Sequence, residues 1–205
     1  MSKIILIHGF GIGITAPFLR RGFGESAGFA AFNEMIVGGE AAVFYWGIKK
    51  QVSPWKILNP IFWLNLYEDE KILSQATATH RQLHDFLFYE QPEIIVSHSM
   101  GCFLLNEYLK QNSLPSSVKR IFFVQSDLSR RAKLNTNLPI INIYCFWDST
   151  LLLSAIYNHE RRGGLLPIKG VSVKNIFTPL WRLPNPHNNI LHCPRLVKFI
   201  VEYKS

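Results

Sequence analysis

The sequence predicts a three-layer α/β fold, in which a mostly parallel sheet of about six strands lies between two layers of helices. Short runs rich in β-branched and aromatic residues recur along the chain without alternation of polar and apolar residues, which is typical of strands covered on both faces. Amphipathic stretches separate these runs, so strand and helix alternate. With 205 residues and 48% hydrophobic content, we expect residues 1–205 to form a single domain.

The elements follow one another in chain order. Four runs that end at turn or polar residues are the clearest strands, namely Lys3–His8, Glu93–His98, Lys119–Gln125 and Pro139–Phe146. Two further strands are predicted at Ala41–Trp46 and Val171–Phe177. The amphipathic stretches predict helices at Glu70–Tyr89, Gly101–Gln111 and Pro194–Tyr203.

Residues 47–67 stand apart from this alternation. The segment contains Pro54 and Pro60, and its four aromatic residues are Trp55, Phe62, Trp63 and Tyr67. The prolines argue against a long helix, and the aromatic content argues against a simple linker. We therefore expect residues 47–67 to form a cap or lid over a site.

The chain is basic, with 22 Lys and Arg against 14 Asp and Glu and a formal net charge of +8. Its basic residues are scattered, and no nucleic-acid motif is visible, so we expect a solvated basic surface and no nucleic-acid partner. Peripheral contact with an anionic membrane stays open. The scattered basic pairs are Arg20-Arg21, Lys49-Lys50, Arg130-Arg131 and Arg161-Arg162.

Cysteine use and the longest apolar stretch predict a cytoplasmic protein. The three cysteines, Cys102, Cys145 and Cys193, have apolar neighbours, and an odd number without paired spacing suits buried thiols. The stretch from Trp55 to Tyr67 falls short of the roughly 20 apolar residues that cross a bilayer. Since a strand begins at Lys3, we expect no signal peptide.

Ser99 lies in the strongest motif of the chain. The predicted strand that ends at His98 is followed by Ser99, Met100 and Gly101, and a helix begins at once. A small residue, any residue, Ser, any residue and Gly between a strand and a helix form a nucleophile elbow, which exposes the serine Oγ on a strained turn. Here Ser97 occupies the first small position, where glycine is commoner. A helix cap is the alternative interpretation.

The first predicted strand ends in a second motif, His8-Gly9-Phe10-Gly11. The motif resembles the His-Gly oxyanion loop of the α/β-hydrolase family. That resemblance implies an oxyanion hole built from the backbone N–H groups of Phe10 and Met100. From their positions, we expect His8 to brace the loop and His98 to pack or hydrogen-bond near the nucleophile. No Gly-x-Gly-x-x-Gly and no Gly-Lys-Ser/Thr is present, so we expect no nucleotide cofactor.

Asp148 follows the late strand Pro139–Phe146. The family places the acid of its catalytic triad there, so the resemblance implies that Asp148 orients the histidine. A helix N-cap is the alternative role for Asp148. Asp127, after the strand Lys119–Gln125, is the rival for the acid.

His187 lies in the predicted loop Leu183–Leu191, ahead of a last helix that begins at Pro194. The spacing of His187 and Pro194 resembles that of the family's catalytic histidine, and we expect the neighbouring His192 to be packed. Two other histidines, His80 and His84, lie four residues apart on a predicted helix, where we expect a solvent-facing surface and no metal site.

Taken together, the order of oxyanion loop, Ser99, Asp148 and His187 is similar to that of α/β-hydrolases. The first strand runs directly into the oxyanion loop, which implies a minimal member of the family. The resemblance implies a cofactor-free serine hydrolase that acts on a carboxylic ester. The aromatic residues of segment 47–67 favour an ester with an apolar acyl or alcohol group. A thioesterase or amidase with the same triad, a membrane-surface lipase and a non-catalytic binding protein remain open.

Overall fold

The structure, a computed structural model, describes residues 3–11, 14–15, 28–170, 172–179 and 186–203. Its main sheet has six strands, all parallel, in the order β3-β1-β5-β6-β7-β8, and a second sheet pairs β2 with β4. The strands are β1 (Ile4–Ile7), β2 (Ile14–Thr15), β3 (Ala41–Phe44), β4 (Lys50–Gln51), β5 (Ile94–His98), β6 (Arg120–Val124), β7 (Ile140–Tyr144) and β8 (Val173–Phe177).

The helices complete three layers. They are α1 (Asn33–Val37), α2 (Pro54–Ile57), α3 (Pro60–Gln75), α4 (Thr77–Glu90), α5 (Met100–Leu109), α6 (Ser149–Tyr157), α7 (Pro186–Asn189) and α8 (Pro194–Glu202), with 3-10 turns at Ala30–Phe32 and Ile190–His192. The six-stranded parallel sheet flanked by helices confirms the predicted α/β fold class.

Successive strand residues enter opposite hydrophobic cores, which explains why the strands lack polar alternation. In β1, Ile5 and Ile7 pack with α4 and α5, whereas Ile4 and Leu6 pack with α8 and the Ala30–Phe32 turn. All four residues of β1 are at most 2% exposed. Burial on both faces therefore selects continuous apolar strands.

One predicted helix is wrong in its bounds. The stretch Glu70–Tyr89 is divided between α3 and α4, because Ala76 has extended backbone angles (φ −70°, ψ 134°). Residues 47–67 also contain the first half of α3, contrary to our expectation of no long helix. Pro60 occupies the first turn, where its missing N–H costs nothing, and Asn59 caps the helix by accepting from Ile61 N. Proline starts this helix and does not interrupt it.

Some of the residues named in the sequence analysis lie outside the part of the chain that the structure describes. Arg20, Arg21, Val171 and the first residues of the predicted loop Leu183–Leu191 lie outside the described residues. All three cysteines are free, and Cys193 is half-buried, in contrast to the buried Cys102 and Cys145. No helix of the described ranges combines the length and apolar character needed to cross a bilayer.

Candidate active site

The parallel sheet gathers the predicted site residues at one edge, because parallel strands share the edge where their carboxyl ends lie. His8 follows β1, Ser99 follows β5, and Asp148 lies four residues after the end of β7. His187 enters from α7, a short helix where we had expected a loop. Residues distant in sequence therefore meet at the carboxyl edge of the sheet.

Ser99 occupies a strained turn between β5 and α5. Its backbone angles, φ 52° and ψ −122°, lie in a region that residues other than glycine rarely adopt. The turn is held by hydrogen bonds from Ser99 N to Val124 O (3.0 Å), and from Asp127 N to Ser99 O (3.1 Å). This geometry is that of a nucleophile elbow.

Two glycines allow the oxyanion loop to pass against this turn. A Cβ at Gly9 would lie 2.8 Å from Ser99 Cβ, and a Cβ at Gly101 would lie 2.5 Å from the backbone oxygen of His8. Neither position tolerates a side chain without displacement of backbone or of the serine. The small residues in the two motifs are therefore required by contact between the motifs.

His187 connects Ser99 to Asp148 by two short hydrogen bonds. His187 Nδ1 lies 2.7 Å from Asp148 Oδ2, and His187 Nε2 lies 2.9 Å from Ser99 Oγ. Because a carboxylate only accepts, Nδ1 carries the proton and Nε2 is left to accept from the serine hydroxyl. All three side chains are buried, at 0–5% exposure. This is the arrangement in which histidine can remove the serine proton.

Asp148 is both a helix cap and the partner of His187. Its Oδ1 accepts from Leu151 N at 3.0 Å, which caps α6, while Oδ2 faces His187. In the amide orientation that satisfies both of its polar atoms, Gln125 also donates to Asp148 Oδ2, at 3.3 Å. The two roles considered from the sequence are therefore compatible, since they use different oxygens.

His98 holds the backbone of His187. His98 Nε2 lies 2.9 Å from the carbonyl oxygen of His187, and since a carbonyl only accepts, this nitrogen donates. Burial lowers the pKa of His98 well below its ordinary value, and the neighbouring His187 adds to this effect. A neutral His98 keeps the donor in place without placing a second charge beside His187.

His8 is embedded at the base of the oxyanion loop. Trp46 N donates to His8 Nε2 (3.1 Å), so the proton is on Nδ1, which donates to Gly9 O (2.8 Å). Trp46 Nε1 also donates to His8 O at 3.0 Å. Burial lowers the pKa of His8 to about 4, which keeps the ring neutral. His8 thus ties the loop to the residues after β3.

Glu70 holds the same loop from α3, and the sequence had not indicated it. Its carboxylate accepts from Gly11 N (3.0 Å) and from Ile48 N (3.2 Å), and the side chain is only 1% exposed. Gly11 has a φ of 76°, which glycine adopts readily. Burial raises the pKa of Glu70 to about 7, against the opposing effect of the two N–H donors.

The raised pKa of Glu70 predicts a pH-dependent stability. The unfolded chain releases this proton near 4.5 and the folded chain near 7, so raising the pH through this interval lowers the free energy of unfolding. Glu70→Gln does not titrate. From about pH 5 to about pH 8, we expect it to gain on the order of 2 kcal/mol relative to wild type in urea unfolding. Parallel pH profiles for the two proteins would contradict this.

The two predicted oxyanion donors are the backbone N–H groups of Phe10 and Met100. Met100 N belongs to the first residue of α5, where helix N–H groups have no partner within the helix, and Phe10 follows Gly9 on the loop that contacts Ser99. Neither amide donates to another residue of the described chain. Both amides are therefore free to donate to a bound group.

Asp127, the rival acid, has other partners. Ser154 Oγ donates to its Oδ1 (2.5 Å), Tyr67 OH donates to its Oδ2 (2.9 Å), and Arg162 Nε lies 3.3 Å from Oδ1. Burial raises the pKa of Asp127, and Arg162 opposes that shift. With both oxygens engaged in this way, the geometry favours Asp148 over Asp127 as the partner of His187.

A cavity of about 840 Å³ opens above Ser99. Phe10, α3, α6 and the 3-10 turn before α8 form its walls, and the lining is mostly apolar. Two aromatic contacts join α3 to the oxyanion loop, from Phe10 to Trp63 (6.0 Å between ring centroids) and to Tyr67 (5.7 Å). The size and lining are typical of a site for a small molecule.

Two expectations about histidines are wrong. His192 is exposed and lines the cavity, because the turn that contains it faces the site. His80 is buried, with its Nε2 2.8 Å from Ser74 O, because α4 packs there against the end of α3.

Among the described residues, no three His, Cys, Asp or Glu side chains are placed to hold a metal ion.

This chain has similarity to known proteins in structure, but none in sequence. No family model and no curated protein matches the sequence. A solved structure from Xanthomonas campestris pv. campestris, provisionally described as a hydrolase of the alpha/beta superfamily, aligns over 98% of this chain and 99% of its own. The identity is 11% and the TM-score 0.42, so the fold and the site described above stand on the geometry of this chain alone.

Proposed function

We propose that the chain is a serine hydrolase that cleaves a carboxylic ester. The observation that supports this most directly is the hydrogen-bonded series Ser99–His187–Asp148, in which the serine lies on a strained turn at the floor of a cavity. Strain of this kind persists where the surrounding structure enforces it, and it is common at active sites. A serine in an ordinary helix cap has no need of a buried histidine and aspartate.

The proposed reaction is acyl transfer to water. Ser99 Oγ attacks the ester carbonyl, and its proton passes to His187 Nε2, while Asp148 stabilises the imidazolium. The Phe10 and Met100 amides donate to the oxyanion of the tetrahedral intermediate. His187 then protonates the leaving alcohol, which leaves an acyl-serine, and water removes the acyl group by the same steps. The reaction needs no cofactor.

The lining of the cavity supports an ester with an apolar group. Apolar side chains from α3 and α6 cover most of its wall, and burial of each CH2 group contributes about 0.8 kcal/mol. We infer that residues 47–67, through the first half of α3, act as the cap that binds this group. Thioesters and amides use the same machinery and are the alternative substrates.

A fluorophosphonate probe tests the proposal, because it reacts with an activated serine and leaves an unactivated one unlabelled. We expect the wild-type protein to be labelled at Ser99 and to hydrolyse an activated ester. Ser126, also buried near the site, offers a matched control, since Ser126→Ala should keep the label that Ser99→Ala loses. Absence of label on the folded wild-type protein would favour a non-catalytic binding protein.

The two candidate acids are separated by a pair of variants. Asp148→Asn is expected to lower kcat by on the order of 10⁴, because an amide at this position favours the wrong histidine tautomer. Asp127→Asn removes the charge that faces the buried Arg162, so we expect it mainly to lower Tm. The measurements are kcat/KM on one ester and Tm by circular dichroism. A folded, inactive Asp127→Asn beside an active Asp148→Asn would move the acid to β6.

A further inference from the structure

Large apolar side chains are exposed on both sides of the cavity mouth. Leu153 and Ile156 of α6 are 69% and 63% exposed, and Leu64 of α3 is 43% exposed. All three residues line the cavity. Further exposed apolar residues lie close to these in the chain, on α2, on the first turn of α3 and on α6. We call the whole surface the apolar rim; it comprises Trp55, Leu58, Ile61, Leu64, Leu152, Leu153, Ile156 and Tyr157.

The two sides of the apolar rim meet at Tyr67. Its ring lies 5.8 Å from the ring of Tyr157, and its hydroxyl lies 3.2 Å from Ser154 Oγ, so α3 and α6 are in contact beside the cavity. Trp55 and Leu58, three residues apart, are 79% and 72% exposed. Exposure of apolar groups to water costs free energy, and a large group of them on a surface is typical of a binding site for another molecule.

The segment that forms the α2 side of the apolar rim is basic, whereas on the other side Glu68 of α3 hydrogen-bonds Tyr157. Residues 47–67 contain Lys49, Lys50 and Lys56 and no acidic residue, and residues 149–158 contain no charged residue. All three lysines are exposed. An apolar surface bordered on one side by cations matches an anionic bilayer, which offers acyl chains beneath negative headgroups. A second copy of the chain would bring the same lysines together and is disfavoured.

We propose that the apolar rim docks on the surface of an anionic phospholipid bilayer. Trp55 and Leu58 enter the interface, Lys50 and Lys56 contact the headgroups, and the cavity mouth faces the lipid. An ester-bearing lipid then reaches Ser99 without crossing water. This last step rests on the proposed function, whereas the docking itself does not.

Sedimentation with vesicles tests the docking. The Ser99→Ala protein, in which hydrolysis is removed, is mixed with vesicles of phosphatidylcholine alone or of phosphatidylcholine with phosphatidylserine. We expect binding at least about tenfold tighter to the anionic vesicles, and release by added salt. Leu58→Glu in the same protein should weaken the binding about tenfold or more.

Tyr89 provides a matched control for Leu58. It is 75% exposed but lies near the end of α4, just before β5 begins, and therefore at the opposite edge of the sheet from the cavity. Tyr89→Glu introduces the same charge and should keep the vesicle binding. Equal losses in the two variants would overturn the proposal, because they would show an effect of net charge alone.

Two other results would also overturn the docking proposal. The first is that the protein binds neither kind of vesicle. If the protein is then found to be a dimer that Leu58→Glu dissociates, the apolar rim is an interface with a second copy. The second is anionic binding that Leu58→Glu leaves unchanged. Because vesicle binding is measured without hydrolysis and fluorophosphonate labelling without vesicles, the docking and the proposed esterase activity succeed or fail separately.

Discussion

Ser99→Ala is expected to lower kcat on a carboxylic ester by on the order of 10⁶. The alanine removes the Oγ that lies 2.9 Å from His187 Nε2, so no acyl-enzyme forms. The remaining rate comes from the oxyanion donors and from substrate binding. The measurement is kcat and KM for wild type and variant on one activated ester.

The fold should survive this change. Alanine is smaller than serine, and the turn is held by backbone hydrogen bonds from Ser99 N and to Ser99 O, which the substitution leaves in place. Alanine adopts the positive φ of this position about as poorly as serine, so we expect little change in Tm. A folded Ser99→Ala that hydrolyses the ester at the wild-type rate would refute the assignment of the nucleophile.

His187→Ala is the second change with a very large expected effect. Members of a triad act as a unit, so kcat should fall about as far as in Ser99→Ala, and the double variant should lose no more than either single one. The structural reason is that His187 alone joins Ser99 Oγ to the buried carboxylate of Asp148. The measurement is kcat/KM for the two single variants and the double variant.

His192→Ala is the matched control for His187→Ala. Both histidines line the cavity, but His192 is exposed and His187 is 5% exposed and bonded at both ring nitrogens. We expect His192→Ala to keep kcat within a few-fold of wild type and to act mainly on KM. An inactive His192 variant beside an active His187 variant would transfer the role of the base.

Much of the candidate site could be predicted because its residues occupy special places along single elements. Ser99 follows a buried strand and precedes a helix, and Asp148 follows another strand, so a local pattern identifies each of them. The carboxyl edge of a parallel sheet then brings such residues together. Their roles in catalysis remain predictions until the variants are measured.

The contacts of other site residues could not be predicted, because they join segments that are distant in sequence. Nothing in the local sequence distinguishes Glu70 from the other glutamates on helices. The packing of α3 brings it to Gly11, 59 residues earlier in the chain. His98 reaches the backbone of His187 across 89 residues. Asp127 has the same position relative to its strand as a triad acid, and only its partners, Tyr67, Ser154 and Arg162, distinguish it.

The sequence by itself determined the sheet, the layers and the serine turn, since burial on both faces requires apolar strands and a tight turn requires small residues. Tertiary structure decided the rest. It determined that α3 begins at Pro60, that Asp148 is the carboxylate that faces His187, and that Glu70 holds the loop after β1 through Gly11. The physical reason is that hydrophobic burial leaves a local signature in the chain, whereas hydrogen bonds between buried polar groups depend on which segments meet.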